Sequence, residues 1–226
     1  MKSILITLLR HGLAEGETEG RYIGHTDAAL TEEGCAQLVS MQAEFTYPQP
    51  DALFISPLKR CAETAGVLYP GAMPIELAGL KEYFFGEFEN KTPAELDRHP
   101  LFHRWIAGET DVVPPFAETL EDFQSRLCDT FIKVVDGLLK TSTKHAVIIT
   151  HGGVVMVLLA MFGLPEVSMH DWLTPGGCGF TLRAEPSIWS RGRKVEVFAM
   201  APEETKADEL PEERLLWKEL EDTSWT

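Results

Sequence analysis

Three short apolar runs punctuate the first two-thirds of the chain, and each empties into a polar, chemically active tripeptide or longer. Ser3 to Leu9, carried by Ile4, Leu5, Ile6, Leu8 and Leu9, ends in Arg10-His11-Gly12. Asp51 to Ile55 ends in Ser56-Pro57 and then Leu58-Lys59-Arg60, and His145 to Ile149 ends in Thr150-His151-Gly152-Gly153. Continuous apolar runs this short predict strands covered on both faces, as in a parallel sheet flanked by helices.

Helical spacing fills the gaps between them. Thr31 is the expected N-cap of a helix reaching about Phe45, because its hydroxyl can satisfy a free amide of the first turn. Cys61 to Tyr69 forms a second predicted helix and Thr119 to Lys140 a long amphipathic third, while Val154 to Phe162 is apolar on all sides and belongs in a core. Pro70-Gly71 and Gly163-Leu164-Pro165 are the stops. Strand and helix alternate, so the expected fold class is α/β, a three-layer sandwich with a mostly parallel central sheet.

One stretch breaks the alternation. Glu82 to about Phe116 mixes aromatics, prolines and charges without a period, which predicts an insertion lying over the sheet's C-terminal edge as a lid. The expected organisation is a single domain over residues 1–200, with the lid at about 82–116, and an acidic C-terminal tail over 201–226. Within that tail Leu210 to Leu220 has the pattern of a helix presenting Leu215, Leu216, Trp217 and Leu220.

Composition narrows the partners. The 226 residues carry a formal net charge of -15, which argues against nucleic acid and anionic membranes, both of which reward basic surfaces. It leaves room for a small anionic substrate in a locally cationic pocket. Cys35, Cys61, Cys128 and Cys178 are too dispersed for a zinc motif or a disulfide framework and read as reduced thiols of a cytoplasmic protein. The apolar start is broken by Thr7 and stopped by Arg10, so a strand is expected there rather than a secretory leader. No stretch reads as a bilayer span.

The chemistry follows from the strand ends. In an open α/β sheet, ligands bind beyond the carboxyl ends of the strands, where Arg10, His11, Arg60 and His151 all fall. Alone, each arginine reads as an ion-pair former and each histidine as a structural residue. Together they form a rim suited to a phosphoryl group, whose charge spreads over three oxygens. Either histidine could be a nucleophile if its second ring nitrogen is fixed. Glu82, opening the lid, is the candidate acid for the departing alkoxide, ahead of Glu87 and Glu89. His25, His99, His103, His145 and His170 lack ligand spacing and read as exposed or core histidines. No metal or other cofactor is expected.

Leu9-Arg10-His11-Gly12, Gly24-His25-Thr26-Asp27 with Leu30-Thr31-Glu32-Glu33-Gly34, Ser56 to Ala65, Leu80-Lys81-Glu82 with Phe85 to Glu89, and Thr150-His151-Gly152 stand in an order that resembles the histidine phosphatase superfamily, the phosphoglycerate mutase-like group. The resemblance implies the phosphoglycerate mutase-like α/β fold and a metal-independent phosphatase. His11 would become phosphohistidine. Arg10, Arg60 and His151 would hold the phosphoryl oxygens, with Gly24 and Gly152 also at the substrate, and Glu82 would serve as acid and later base.

Three positions depart from the family pattern. Leu13, Ala14 and Glu17 stand where members commonly carry Glu, Thr or Ser, and Asn. The Glu17 carboxylate would repel a phosphate unless it turns outward or pairs with Arg21. The short Glu82-to-Glu118 spacing resembles the α-ribazole phosphatase branch of cobalamin assembly, whose substrate would suit aromatic walls from Phe84, Phe102 or Trp105. The alternatives are a phosphoglycerate mutase-type transferase, for which the lid offers Lys91, Arg98, His99, His103 and Arg104 but no arginine pair, and a non-catalytic phospho-ligand-binding module. An adaptor role for the tail and a homo-oligomer are compatible with either.

Overall fold

Apolar side chains on successive residues of a strand point to opposite faces of a sheet, and here both faces are covered. The computed structural model describes residues 2–109 and 112–204. In chain order its elements are β1 (Ile4–Arg10), α1 (Glu32–Glu44), β2 (Phe45–Thr46), β3 (Ala52–Ile55), α2 (Lys59–Leu68), β4 (Ile75–Glu76), α3 (Pro93–Leu96), α4 (Phe102–Ile106), α5 (Leu120–Leu138), β5 (His145–Thr150), α6 (Gly152–Phe162), β6 (Gly163–Leu164), β7 (Gly179–Ala184), α7 (Pro186–Gly192), β8 (Val195–Ala201) and β9 (Glu203–Glu204).

Seven strands form the central sheet in the order β4-β3-β5-β1-β7-β8-β6. Strands β4, β3, β5 and β1 run parallel, β7 is antiparallel to both β1 and β8, and β6 is parallel to β8. The sheet is therefore mostly parallel, as expected, with β7 as its reversed member. Ile4, Ile6 and Leu8 of β1 and Ala146 and Ile148 of β5 pack with α5, α6 and Trp189 of α7. Leu9, Val147 and Ile149 pack on the opposite face with α1 and α2. These are the three layers.

The helices begin where capping chemistry allows. The Thr31 hydroxyl accepts from the Gly34 amide at the start of α1, and Thr119 does the same for Asp122 in α5. Along α5 the buried stripe runs Phe123, Leu127, Phe131, Val134, Val135, Leu138, the i, i+3, i+4 spacing of an amphipathic helix.

The lid has a small core of its own, Phe88, Leu96 and Phe102 packed with Tyr22, Phe85, Leu101 and Trp105. At the other end β9 pairs with β2 through Phe45 opposite Glu204 and Thr46 opposite Glu203, so strand pairing runs past the boundary expected at residue 200. The segment Leu210 to Leu220, read as an acidic helix, lies outside the described residues. No helix among the described residues is long and apolar enough to cross a membrane.

Candidate active site

Because β1 and β5 are adjacent and in register, with Arg10 opposite Thr150, the residues that follow them emerge side by side. The His11 and His151 rings meet edge to face at 5.1 Å. Strand β3, on the far side of β5, delivers Ser56 and then α2, whose second residue is Arg60. The four strand-end residues predicted to converge do so.

His11 is held at both nitrogens. Its Nδ1 lies 2.7 Å from the Gly12 carbonyl oxygen and its Nε2 is 3.1 Å from Arg60 Nε. A carbonyl only accepts and a guanidinium only donates, so Nδ1 carries the proton and Nε2 presents its lone pair. Burial drives the His11 pKa from 6.5 to about 3; Glu17 pulls it up, and Arg60 and Arg10 push it further down. His151 is likewise held well below its ordinary value, by burial first and then by His11 and the arginines. Both imidazoles are therefore neutral at physiological pH. Of the four rim residues, Arg10 and Arg60 are therefore the permanent cations and the two histidines are uncharged.

Arg60 is only 1% exposed. Its Nη1 donates to the Thr26 carbonyl and its Nη2 to that of Gly24, so the Gly24–Thr26 loop carries the guanidinium. Glu89 in turn clamps that loop, accepting from the amides of Gly24, His25 and Thr26 and from the Thr26 hydroxyl. Both backbone polar groups of Gly24 are thus used inside the fold. A Cβ at Gly24 would overlap the Tyr83 carbonyl, and the residue serves to let lid and loop close on each other. Gly152 sits against the Arg10 side chain at the start of α6.

Glu82 accepts from two amides, its own neighbour Tyr83 at 2.8 Å and Gly153 in the first turn of α6 at 2.9 Å. Burial raises its pKa, against the pull of those amides and of Arg60 and Arg10. The carboxyl keeps one side on a cavity but is otherwise ringed by protein, so it retains a proton to higher pH than a free glutamate. Of the rival carboxylates, Glu89 is the loop clamp and Glu87 faces outward to His99.

Glu17 takes neither of the two courses expected of it. It neither turns outward nor pairs with Arg21, which is bound instead by Glu19 and Glu95. The chain turns sharply at Gly16, whose φ is +85°, and brings the Glu17 carboxylate to Arg10 Nη2 at 3.0 Å and to the Ala14 amide at 2.8 Å.

Several supporting roles escaped the sequence reading, although Ser56, Thr64 and Glu118 stand in the quoted motifs. Thr64 accepts from the Gly12 amide, and Ser56 Oγ sits 2.8 Å from His151 Nε2. Arg126 on α5 makes a two-point pair with Glu118 and donates to the carbonyls of Gly79, Lys81 and Glu82, while Glu118 accepts from the Phe84 amide. This brace fixes the segment carrying Glu82. Arg126 has no local motif; in sequence it reads as one more charge on the outer face of α5.

A cavity of about 740 Å³ opens directly off Glu82 and Gly153. Its walls include Tyr83, Phe85, Trp105, Phe123, Met156 and Met169, with Gln124, Glu109 and Glu121 as polar members and no lysine, arginine or histidine among the described residues. Of the three aromatics proposed as walls, Trp105 borders it. Phe102 is buried in the lid core and Phe84 packs on His25 at 5.0 Å. The lid side chains His99, His103 and Arg104 lie against the carboxylates of Glu87, Asp97 and Glu109. Among the described residues no cluster of three or more His, Cys, Asp or Glu side chains is arranged to hold a metal ion.

Residues 6–186 match the family model described as histidine phosphatase superfamily, branch 1. The chain belongs to that superfamily. It is an enzyme of the phosphoric monoester hydrolase class. The adenosylcobalamin/alpha-ribazole phosphatase of Salmonella typhimurium is 27% identical to this histidine phosphatase over 176 residues, which is 76% of this chain and 86% of that protein. The alpha-ribazole phosphatase from Shigella flexneri superposes with a TM-score of 0.76 over 90% of this chain and 100% of its own, a likeness of fold at 20% identity. A phosphoglycerate mutase from Thermus thermophilus superposes with a TM-score of 0.60 at 29% identity, over 87% of this chain and 98% of its own.

Proposed function

We propose that this histidine phosphatase hydrolyses a small phosphomonoester in two steps through a phosphohistidine on His11, with no metal, and that the substrate carries a bulky apolar or aromatic alcohol, as α-ribazole 5′-phosphate does. The observation that carries the mechanism is the arrangement at His11: Nδ1–H bound to the Gly12 carbonyl and the unprotonated Nε2 accepting from the buried Arg60 guanidinium. In the first step Arg60 Nε turns from the imidazole to a phosphoryl oxygen and Nε2 attacks phosphorus. The P–O ester bond breaks, and its electron pair leaves with the alkoxide, which takes the Glu82 proton. The Gly12 carbonyl steadies the positive imidazole that results. In the second step the Glu82 carboxylate removes a proton from water and the water oxygen attacks phosphorus. The P–N bond returns its pair to Nε2, and phosphate leaves. Arg10, Arg60 and neutral His151 hold the equatorial oxygens.

The cavity supports the leaving-group assignment. It adjoins the proposed acid, is walled by aromatics and methionines, and offers carboxylates in place of cations. A phosphoglycerate would bring its own carboxylate into that space unpaired. An aromatic riboside would not.

The test is phosphate release in EDTA from α-ribazole 5′-phosphate, p-nitrophenyl phosphate, sugar phosphates and 3-phosphoglycerate. The reading predicts turnover with the highest kcat/KM for the aromatic riboside phosphate. Turnover of 3-phosphoglycerate that depends on a bisphosphate primer would replace the phosphatase by a mutase. A folded protein that binds these esters without turning them over would make it a binding module.

A further inference from the structure

We propose that Glu17 is a built-in competitor for the phosphate seat, a specificity-determining carboxylate that a phosphoryl group must displace from Arg10. This rests on the proposed role of Arg10 as a phosphate ligand. The donors available to an anion at this rim can be counted. Arg10 Nη1 gives a hydrogen bond to the Thr174 carbonyl and Nη2 gives one to Glu17 Oε1. The Ala14 amide gives its hydrogen bond to Glu17 Oε2. Arg10 Nε is buried and has no hydrogen-bond partner among the described residues.

The carboxylate therefore lies across a guanidinium and a backbone amide with its two oxygens on separate donors, the manner in which two oxygens of a phosphate would lie. It is held there by the turn at Gly16 and is largely shielded, with 19% of its side chain exposed. A phosphoryl group drawn to the free Arg10 Nε and to Arg60 meets this negative charge at close range. Either the anions share Arg10 at a Coulombic cost or Glu17 swings away and gives up both hydrogen bonds.

The consequence is asymmetric. A phosphate ester gains its binding from the cavity beside Glu82 as well as from the rim, whereas inorganic phosphate has the rim alone. Glu17 thus penalises the product most in proportion to its affinity, and its return to Arg10 helps expel the product. The same geometry makes this enzyme tolerant of free phosphate.

The experiment compares the intact chain with Glu17→Gln, which keeps the shape and an acceptor oxygen while removing the charge. Inorganic phosphate and orthovanadate are titrated by calorimetry, and KM and kcat for p-nitrophenyl phosphate are measured beside them. The proposal expects Glu17→Gln to bind phosphate and vanadate at least tenfold tighter and to lower KM, with the gain lost when Arg10→Ala is added. Equal or weaker binding by the variant, with both proteins binding phosphate, would overturn the competitor role and leave Glu17 as a positioning residue for Arg10. Folded proteins that bind neither anion would instead sink the phosphate-seat reading on which the proposal rests. Thermal unfolding reports folding, and Glu17→Asn is the second variant if Glu17→Gln does not fold.

Discussion

A neutral imidazole has one protonated and one free nitrogen, and what it can do depends on which is which. At His11 the choice is made by the Gly12 carbonyl on one side and the Arg60 guanidinium on the other. The proposed proton donor is a separate group, Glu82, whose enclosure raises its pKa and so favours the neutral acid. These two assignments generate separable predictions. Replacing Glu82 by Gln should slow alkyl phosphates, which need a proton on departure, by roughly a hundredfold or more, while p-nitrophenyl phosphate slows far less. Equal slowing of both would remove Glu82 from the acid's place. Glu82 itself depends on a residue with no side chain. A Cβ at Gly153 would stand 2.5 Å from Glu82 Oε1, closer than real contacts allow. Gly153→Ala should therefore mimic the Glu82→Gln pattern in kinetics while α6 still forms, since alanine is the better helix residue. Circular dichroism and the same pair of substrates would check it; unaltered leaving-group dependence would show that the acid is not placed by that contact.

Elements bring these residues together by their ends. β1, β3 and β5 each stop where a polar residue begins, and their parallel pairing puts the three stops on one edge. Helix α5 does the complementary work from the side, through Arg126 and its two-point pair with Glu118. Arg126→Lys keeps the charge but cannot reproduce the fork or the three carbonyl contacts. It should cost roughly 2 kcal/mol of stability, the scale of charge-assisted hydrogen bonds in a partly buried setting, and should lower kcat because the Glu82 segment loses its brace. A urea midpoint and kcat unchanged by the substitution would contradict this. Strands β1, β3 and β5 and the candidate-site residues at their ends were legible in sequence because apolar runs and the polar residues after them are contiguous. So were the α1 and α5 starts, where Thr31 and Thr119 cap. The brace was not legible, since Arg126 acts through carbonyls more than forty residues away. Nor was the partner of Glu17, because a tight turn reverses its direction and aims it at Arg10 instead of Arg21. Two-residue strands such as β2, β4, β6 and β9 are too short to carry a period, and β7 and β8 were not read as strands.

For the whole molecule, carrying two buried neutral histidines has a measurable consequence. Unfolded, His11 titrates near 6.5, and folded near 3; His151 is displaced in the same direction. Below pH 6.5 the unfolded chain therefore binds protons that the folded chain refuses, and stability falls as pH falls toward 3. Each such histidine contributes a slope of about 1.4 kcal/mol per pH unit in that window. Glu82 opposes them, because the folded state takes up its proton first as pH drops toward the ordinary 4.5. Urea unfolding at pH 7.5, 6.0 and 5.0 should show a net loss of stability, and His11→Gln should flatten it. A stability that is level or rises on acidification would contradict the buried neutral pair. The same linkage sets the conditions for the most direct test of the central claim. At neutral pH, where the fold is intact and Nε2 carries no proton, turnover of a phosphomonoester in EDTA would be stopped by rapid alkaline quench, which preserves phosphohistidine, and the phosphoryl group mapped by mass spectrometry. A phosphoryl group on His11 should appear before phosphate and decay as phosphate is released, with neither adduct nor turnover in His11→Ala. An adduct on another residue, or full turnover by His11→Ala, would contradict it.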